Sequence, residues 1–88
     1  MLVDVVEVEV LEPYRLRLRF DDGLTGEVDV ARLVSFDGVF EPLKVPEVFA
    51  AVRVDPELGT IVWPNGADLD PVVLHDAVGR HGRSEGGA

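Results

Sequence analysis

The side chains that could carry out catalysis are few in this sequence. Its only serines are Ser35 and Ser84, it has no cysteine, and neither serine lies in the strand-turn-helix sequence that presents a catalytic serine. His75 and an acid could form a triad with Ser35 on paper, but no spacing in the chain supports that assembly. No glycine-rich loop opens a helix after a strand, as nucleotide binding requires. We therefore predict that the protein is not an enzyme and uses no cofactor.

Three aspartates invite a calcium or magnesium interpretation: Asp68, Asp70 and Asp76. Their spacing lacks the ligand pattern of an EF-hand loop and its closing bidentate glutamate. Asp70 also precedes Pro71, a pair typical of a helix start, so its carboxylate is expected to cap backbone N–H groups. His75 is expected to be an ordinary titratable surface residue. We predict no metal site.

The segment over residues 61–71 is the least generic part of the chain. It holds the only tryptophan, Trp63, while Pro64 and Gly66 fix the backbone on both sides of Asn65. One interpretation is a strand-to-helix connection whose tryptophan covers the edge of a small core. The other is a recognition rim, because tryptophan is enriched among binding hot spots. The two are compatible, and the candidate binding rim comprises Trp63, Asn65, Gly66, Asp68 and Asp70.

Three arginines, Arg15, Arg17 and Arg19, alternate with apolar residues and could grip phosphate or carboxylate groups. The chain alternates with period 2 over 6–10, 14–20 and 24–30, which predicts three half-buried strands in a meander. The arginine strand is then central, between two strands whose polar positions are acidic. This arrangement favours a solvated sheet face on which the arginines are already matched by carboxylates.

The register follows from the requirement that opposed residues share a face. A three-residue loop over 21–23 opposes Phe20 to Leu24 and continues with Arg17 opposite Glu27 and Arg15 opposite Asp29.

A three-residue connection over 11–13 opposes Val10 to Tyr14, Glu9 to Arg15 and Glu7 to Arg17. We reject a two-residue loop there, because it would place Glu9 opposite Leu16 and mix the two faces.

The middle of the chain predicts less regular structure. Asp29 could cap a helical turn over 30–34, and a turn follows over 35–38. Pro42 and Pro46 argue against a regular element across the stretch that leads up to Pro46, although Pro46 could open a short helical turn. Two short strands are predicted over 51–55 and 60–63.

A C-terminal helix is predicted from Pro71 to a stop at Gly79. Its apolar face would hold Val73, Leu74, Ala77 and Val78. Residues 80–88 lack apolar periodicity and are expected to form a disordered tail. The fold class is therefore α+β, with a small antiparallel sheet and a C-terminal helix in a single domain over residues 1–79.

The net charge of the chain limits the classes of partner that it could bind. The 88 residues contain 8 lysines and arginines against 17 aspartates and glutamates, for a net charge of -9. This excess argues against direct binding to nucleic acids or to anionic membranes. The N-terminus lacks the basic segment and apolar run of a signal peptide, and no apolar stretch is long enough to span a bilayer. We expect a cytoplasmic protein.

Residues 59–71, which run Gly-Thr-Ile-Val-Trp-Pro-Asn-Gly-Ala-Asp-Leu-Asp-Pro, resemble the C-terminal hallmark of domain of unknown function (DUF) family 2442, a group of small bacterial proteins. The front half is also similar, with Leu16, Leu18 and Phe20 before the Asp22-Gly23 turn. The resemblance covers about residues 4–78, and its Trp-Pro-Asn-Gly-x-Asp core is fairly specific.

This resemblance implies a compact α+β domain without an established activity or cofactor. Some members carry a helix-turn-helix domain after this module; we expect none here, since nine residues follow Gly79. Stand-alone members are often encoded beside another small protein, in an arrangement similar to toxin–antitoxin pairs.

The main hypothesis is a non-catalytic acidic adaptor that binds a small basic protein, with an antitoxin-like role as its specific form. The alternative is a small-ligand or metal-binding domain that uses the Trp63–Asp70 segment. An open meander also leaves an edge strand for self-pairing, so we expect a homodimer.

Overall fold

A computed structural model of the chain describes the backbone of residues 3–86 and the side chains of residues 3–79. The strands are β1 (Val5–Glu12), β2 (Arg15–Phe20), β3 (Thr25–Asp29), β4 (Arg53–Asp55) and β5 (Thr60–Val62). The helices are α1 (Val30–Leu33), the 3-10 helix η1 (Gly38–Lys44), α2 (Pro46–Phe49) and α3 (Pro71–Gly86). The α+β class with an antiparallel sheet and a C-terminal helix is confirmed.

β1, β2 and β3 form a three-stranded antiparallel meander with β2 in the centre. The predicted register between β2 and β3 is confirmed, with Arg17 opposite Glu27, Leu18 opposite Gly26 and Arg15 opposite Asp29. Loop length and face parity were sufficient there because the pairing continues without interruption from the hairpin loop to Asp29.

The predicted register between β1 and β2 is wrong by two residues. Glu9 lies opposite Arg17 and Val10 lies opposite Leu16, whereas the prediction placed Glu9 opposite Arg15. The rejected loop, which would have placed Glu9 opposite Leu16, does not form either. The strands are joined by a different two-residue turn, Pro13 and Tyr14, between the end of β1 at Glu12 and the start of β2 at Arg15. A register shift between Val10 and Glu12 absorbs one residue, so the acidic and apolar faces stay matched despite the short turn.

A second register shift, between Val5 and Glu7, changes which valine enters the core. Val5 is 1% exposed, whereas Val6, predicted to share the apolar face with Val8, is 39% exposed. The bulge moves Val6 to the solvent side, which simple alternation could not show.

Tyr14 occupies the turn between β1 and β2 with a φ of 74°, in the left-handed region that favours glycine. Its hydroxyl donates a hydrogen bond to the Lys44 carbonyl oxygen. Its ring meets Phe36 and Phe49 edge-on, at centroid distances of 5.1 and 5.5 Å. These tertiary contacts hold a backbone conformation that a tyrosine would otherwise rarely adopt.

The segment between the sheets is more regular than predicted. Asp29 caps α1 by accepting the Ala31 N–H at 3.0 Å, and Pro46 opens α2, both as predicted. The expectation that no regular element forms before Pro46 is wrong, because η1 includes Pro42. η1 buries Leu43, which follows Pro42 directly, in the core.

β4 and β5 form a separate two-stranded antiparallel sheet and are each shorter than predicted. The Val5 N–H donates to the Gly59 carbonyl oxygen at 2.9 Å, which ties the turn between β4 and β5 to the start of β1. One continuous core joins the inner face of the meander to this second sheet and to α3.

α3 begins at Pro71 as predicted, but its backbone is helical past the predicted stop at Gly79 and continues to Gly86. Gly79 does not take the left-handed conformation that ends a helix, so the helix passes through it. Leu74 and Val78 are buried, whereas Val73 is 50% exposed and was wrongly assigned to the apolar face. The side chains of residues 80–88 lie outside the described residues, and their predicted disorder stays a prediction. No described helix is long and apolar enough to cross a bilayer.

Candidate functional site

The arginines of β2 all have carboxylate partners on the neighbouring strands or turn. Arg17 donates to Glu9 at 2.8 Å and Arg19 to Glu7 at 2.9 Å. Arg15 contacts Glu12 at 3.1 Å and also donates to Glu27. The expectation that carboxylates on the sheet match the arginines of β2 is therefore confirmed. The shifted register of β1 changes which carboxylate meets each arginine.

This pairing also favours the charged forms of both partners. The hydrogen bond from Arg19 and its positive charge hold the pKa of Glu7 below its ordinary value. The same hydrogen bond and the charge of Glu7 raise the pKa of Arg19. Both groups stay ionised near neutral pH, and the arginines do not form the uncompensated groove that phosphate binding would need.

The candidate rim residues separate into buried and exposed ones. The side chain of Trp63 is 1% exposed, and its indole N–H donates to the Phe49 carbonyl oxygen at 3.0 Å. It packs against the Phe49 ring at a centroid distance of 6.0 Å. Trp63 is therefore a core residue that joins β5 to α2, and it does not present a surface to a ligand.

Asn65 and Gly66 form the exposed turn that follows Trp63. The Asn65 amide donates to the Val39 carbonyl oxygen at 2.8 Å and accepts the Ala67 N–H at 3.2 Å. Gly66 has a φ of 90°, which explains why a glycine stands there. The turn thus fastens η1 to the segment that leads into α3.

The aspartates of this segment do not converge on a metal. Asp70 caps α3 by accepting the Val72 N–H at 2.8 Å. Asp68 is exposed, and its backbone forms an isolated bridge with Val62. Among the residues that the structure describes, no three histidine, aspartate or glutamate side chains are grouped as metal ligands.

His75 links α3 to the hairpin between β2 and β3. Its Nε2 lies 2.7 Å from the Asp22 carboxylate, and its ring meets Phe20 edge-on at a centroid distance of 4.9 Å. Hydrogen bonds from the Leu24 N–H and from His75 hold the pKa of Asp22 below its ordinary value. The contact between His75 and Asp22 thus has a structural role, since it joins α3 to the hairpin.

One end of the molecule concentrates carboxylates that the sequence did not group together. The Asp21 N–H donates to the Asp4 carbonyl oxygen at 2.9 Å, so the hairpin loop adjoins the start of β1. The Asp4 carboxylate in turn lies beside Gly59, in the turn that carries Glu57 and follows Asp55, the last residue of β4. We call this the acidic end, and its carboxylates are those of Asp4, Asp21, Asp22, Asp55 and Glu57.

An open groove of about 650 Å³ lies beside β3. Val28, Leu33 and Ala77 supply its apolar surface, from β3, α1 and α3 respectively. Its charged rim comes from Arg15, Glu27, Asp29 and Arg32. The sequence did not reveal this groove, because its lining comes from segments as distant in the chain as Arg15 and Ala77, whose packing no local pattern encodes.

A family model for "Protein of unknown function (DUF2442)" matches residues 5–78. The chain belongs to the DUF2442 family. The resemblance seen in the sequence is thereby confirmed at the level of the family, whose description assigns no function. No curated protein and no solved structure matches this DUF2442 chain.

Proposed function

We propose that this DUF2442 protein is a non-catalytic acidic adaptor that binds a small basic protein, and that it acts as the antitoxin-like member of a two-gene pair. The observation that carries the proposal is the internal neutralisation of the arginines on β2. Because these cations are matched within the sheet, the remaining carboxylates determine the outer charge.

The charge of the domain supports a basic partner. Residues 1–79 hold six of the eight cations and 16 of the 17 anions, a net charge of −10. The acidic end adds a local concentration of carboxylates that is remote in sequence but close in space. Complementary potentials accelerate association and disfavour partners of like charge. Nucleic acids and anionic membranes are disfavoured on the same ground.

The alternative, a ligand or metal site over Trp63–Asp70, has less support. The indole of Trp63 faces the core, and Asn65 and Asp70 are engaged in hydrogen bonds within the protein. A ligand at this segment would have to displace contacts that hold η1 and α3 in place.

Co-expression with the product of the gene adjacent to its own tests the proposal. We expect the two proteins to co-purify, and we expect this chain to relieve any growth inhibition that its neighbour causes. A neutralised variant, Glu41→Gln with Glu47→Gln and Glu57→Gln, keeps the fold because these three side chains are exposed. It should associate more slowly at low salt, and the difference should shrink as salt screens the charges.

Two results would count against the proposal. If the product of the adjacent gene does not co-purify with this chain, and this chain does not relieve its toxicity, the antitoxin-like role is wrong. Binding that is equally fast for the native and neutralised proteins at every salt concentration would remove the electrostatic basis of the adaptor.

A further inference from the structure

The meander ends at β3, which pairs with β2 and with no other strand in the described part of the chain. The Phe20 N–H donates to the Leu24 carbonyl oxygen at 2.9 Å, and the Val30 N–H donates to the Tyr14 carbonyl oxygen at 2.7 Å. Since hydrogen-bonded positions alternate along an antiparallel strand, Gly26 and Val28 also face β2. The N–H groups of the intervening residues, Thr25, Glu27 and Asp29, therefore point away from the sheet, towards the edge where a further strand could add.

The outer face of the meander is built of rows of alternating charge. β1 contributes an acidic row, β2 the arginine row, and β3 a second acidic row with Glu27 and Asp29. Each pair of neighbouring rows brings opposite charges together across strands, the arrangement that stabilises an antiparallel sheet. The row that would continue this pattern beyond β3 is basic.

The groove beside β3 supplies the other half of a strand-binding surface. Successive residues of a strand point to opposite faces, so a residue between two cations would turn towards the inner side of the sheet. There it would meet Val28, Leu33 and Ala77. Side chains that alternate between basic and apolar thus match both sides of this edge.

We infer that β3 is the docking edge of the protein, where an extended segment of a basic partner, with cationic and apolar side chains in alternation, adds as a fourth strand. The inference rests on the proposed function and specifies where the basic partner binds. A second copy of this chain fits less well, because pairing of β3 with itself along its full length places Glu27 opposite its own counterpart. Main-chain hydrogen bonds would supply affinity, and the alternating side chains would supply selectivity.

Titration of the full chain with a synthetic peptide, followed by NMR of the backbone amides, tests the edge. The probe is a short peptide in which arginine or lysine alternates with valine. Its matched control has the same composition with all cations at one end. With the alternating peptide we expect the amide protons of Thr25, Glu27 and Asp29 to shift downfield and to exchange more slowly with solvent. Those of Gly26 and Val28, already bonded to β2, should change little.

A proline at the exposed Thr25 provides the matching variant. Thr25→Pro removes an N–H that faces away from β2, so the existing ladder is kept, as for prolines on edge strands generally. We expect it to weaken binding of the alternating peptide about tenfold, the effect of one lost hydrogen bond. Thr25→Val keeps the N–H and should bind like the native protein. Thermal melting of both variants checks that the fold is kept.

The outcomes separate the docking edge from the adaptor function. Three results would overturn the docking edge. The two peptides could bind equally well, the amide shifts could be confined to the acidic end, or neither peptide could bind. A homodimer in which the amide protons of Thr25, Glu27 and Asp29 already exchange slowly without peptide would also overturn the docking edge. Co-purification of the neighbouring gene product would still support the adaptor in each case, whereas its failure would remove the adaptor itself.

Discussion

Two glycines near the contact between α3 and the meander differ in the space around their Cα atoms. A Cβ added to Gly26 would lie 2.6 Å from Cγ1 of Val78, a buried and conformationally stiff side chain. A Cβ added to Gly79 would meet no atom of the described side chains within 4 Å. Gly26 is thus required by the close approach of α3 to β3, whereas Gly79 contributes only the backbone freedom that glycine brings to an unfolded chain.

Alanine substitution at these glycines should therefore change stability in opposite directions. We expect Gly26→Ala to lower the free energy of unfolding by about 1–3 kcal/mol, because it overpacks the contact with Val78. We expect Gly79→Ala to raise it by about 0.5–1 kcal/mol, since alanine loses less entropy in a helix. Urea denaturation measures both changes. The Val78→Ala background should reduce the effect of Gly26→Ala, and equal effects in both backgrounds would contradict the proposed contact.

At the scale of elements, the hairpin between β2 and β3 is fastened to α3 by the contact between Asp22 and His75. The pKa of Asp22 lies below its ordinary value, chiefly because its carboxylate accepts the Leu24 N–H and then because it contacts His75. A carboxyl whose pKa is lower in the folded state stabilises the fold at any pH above its unfolded pKa of about 3.9. That stabilisation is lost as the pH falls through the folded pKa.

Asp22→Asn should reproduce this loss. We expect the variant to be less stable than the native protein at about pH 6, and the difference to shrink below about pH 4. The urea midpoint of each protein across this range measures it. Asp37→Asn serves as the control for removal of one negative charge, because the Asp37 side chain makes no cap hydrogen bond to η1. A difference in urea midpoint between the native and Asp22→Asn proteins that persists unchanged into strong acid would contradict this dependence of stability on the ionisation of Asp22.

The elements also show which parts of the fold the sequence encodes locally. The register of β2 with β3 follows from one glycine-containing loop and from the alternation on both strands. The register of β1 could not be predicted in the same way, because its two bulges interrupt that alternation. Tyr14 takes a conformation that only its contacts with Lys44, Phe36 and Phe49 explain, and those contacts join distant segments.

The structure explains the tryptophan-containing segment by packing and turn geometry, and the binding rim over this segment stays a prediction. The tryptophan-containing segment is distinctive in sequence, and this distinctiveness proved to reflect core packing at Trp63 and turn geometry at Gly66. The two surfaces used in the proposals, the acidic end and the groove beside β3, arise from tertiary packing. Composition indicated an acidic protein, but only the fold shows where the carboxylates gather.

At the scale of the whole molecule, two electrostatic effects oppose each other as salt is added. Salt weakens the ion pairs of the meander, which favours unfolding, and it screens the repulsion among the excess carboxylates, which favours folding. The paired arginine side chains are 40–48% exposed, so each pair contributes little. The net charge of the chain is -9, and among the described residues the carboxylates of the acidic end have no arginine partner. Repulsion should therefore dominate.

We accordingly expect the melting temperature to rise as sodium chloride is added at neutral pH. In a domain of this size, each kcal/mol of repulsion removed corresponds to a rise of about 4–8 °C. Calorimetry over a salt series measures the effect, with an uncharged osmolyte at equal osmolality as the solvent control. The neutralised variant with glutamines at 41, 47 and 57 starts with less repulsion and should show a smaller rise. A melting temperature that falls with salt would mean that the charge ladder of the sheet, rather than the excess of carboxylates, governs the electrostatic stability of the molecule.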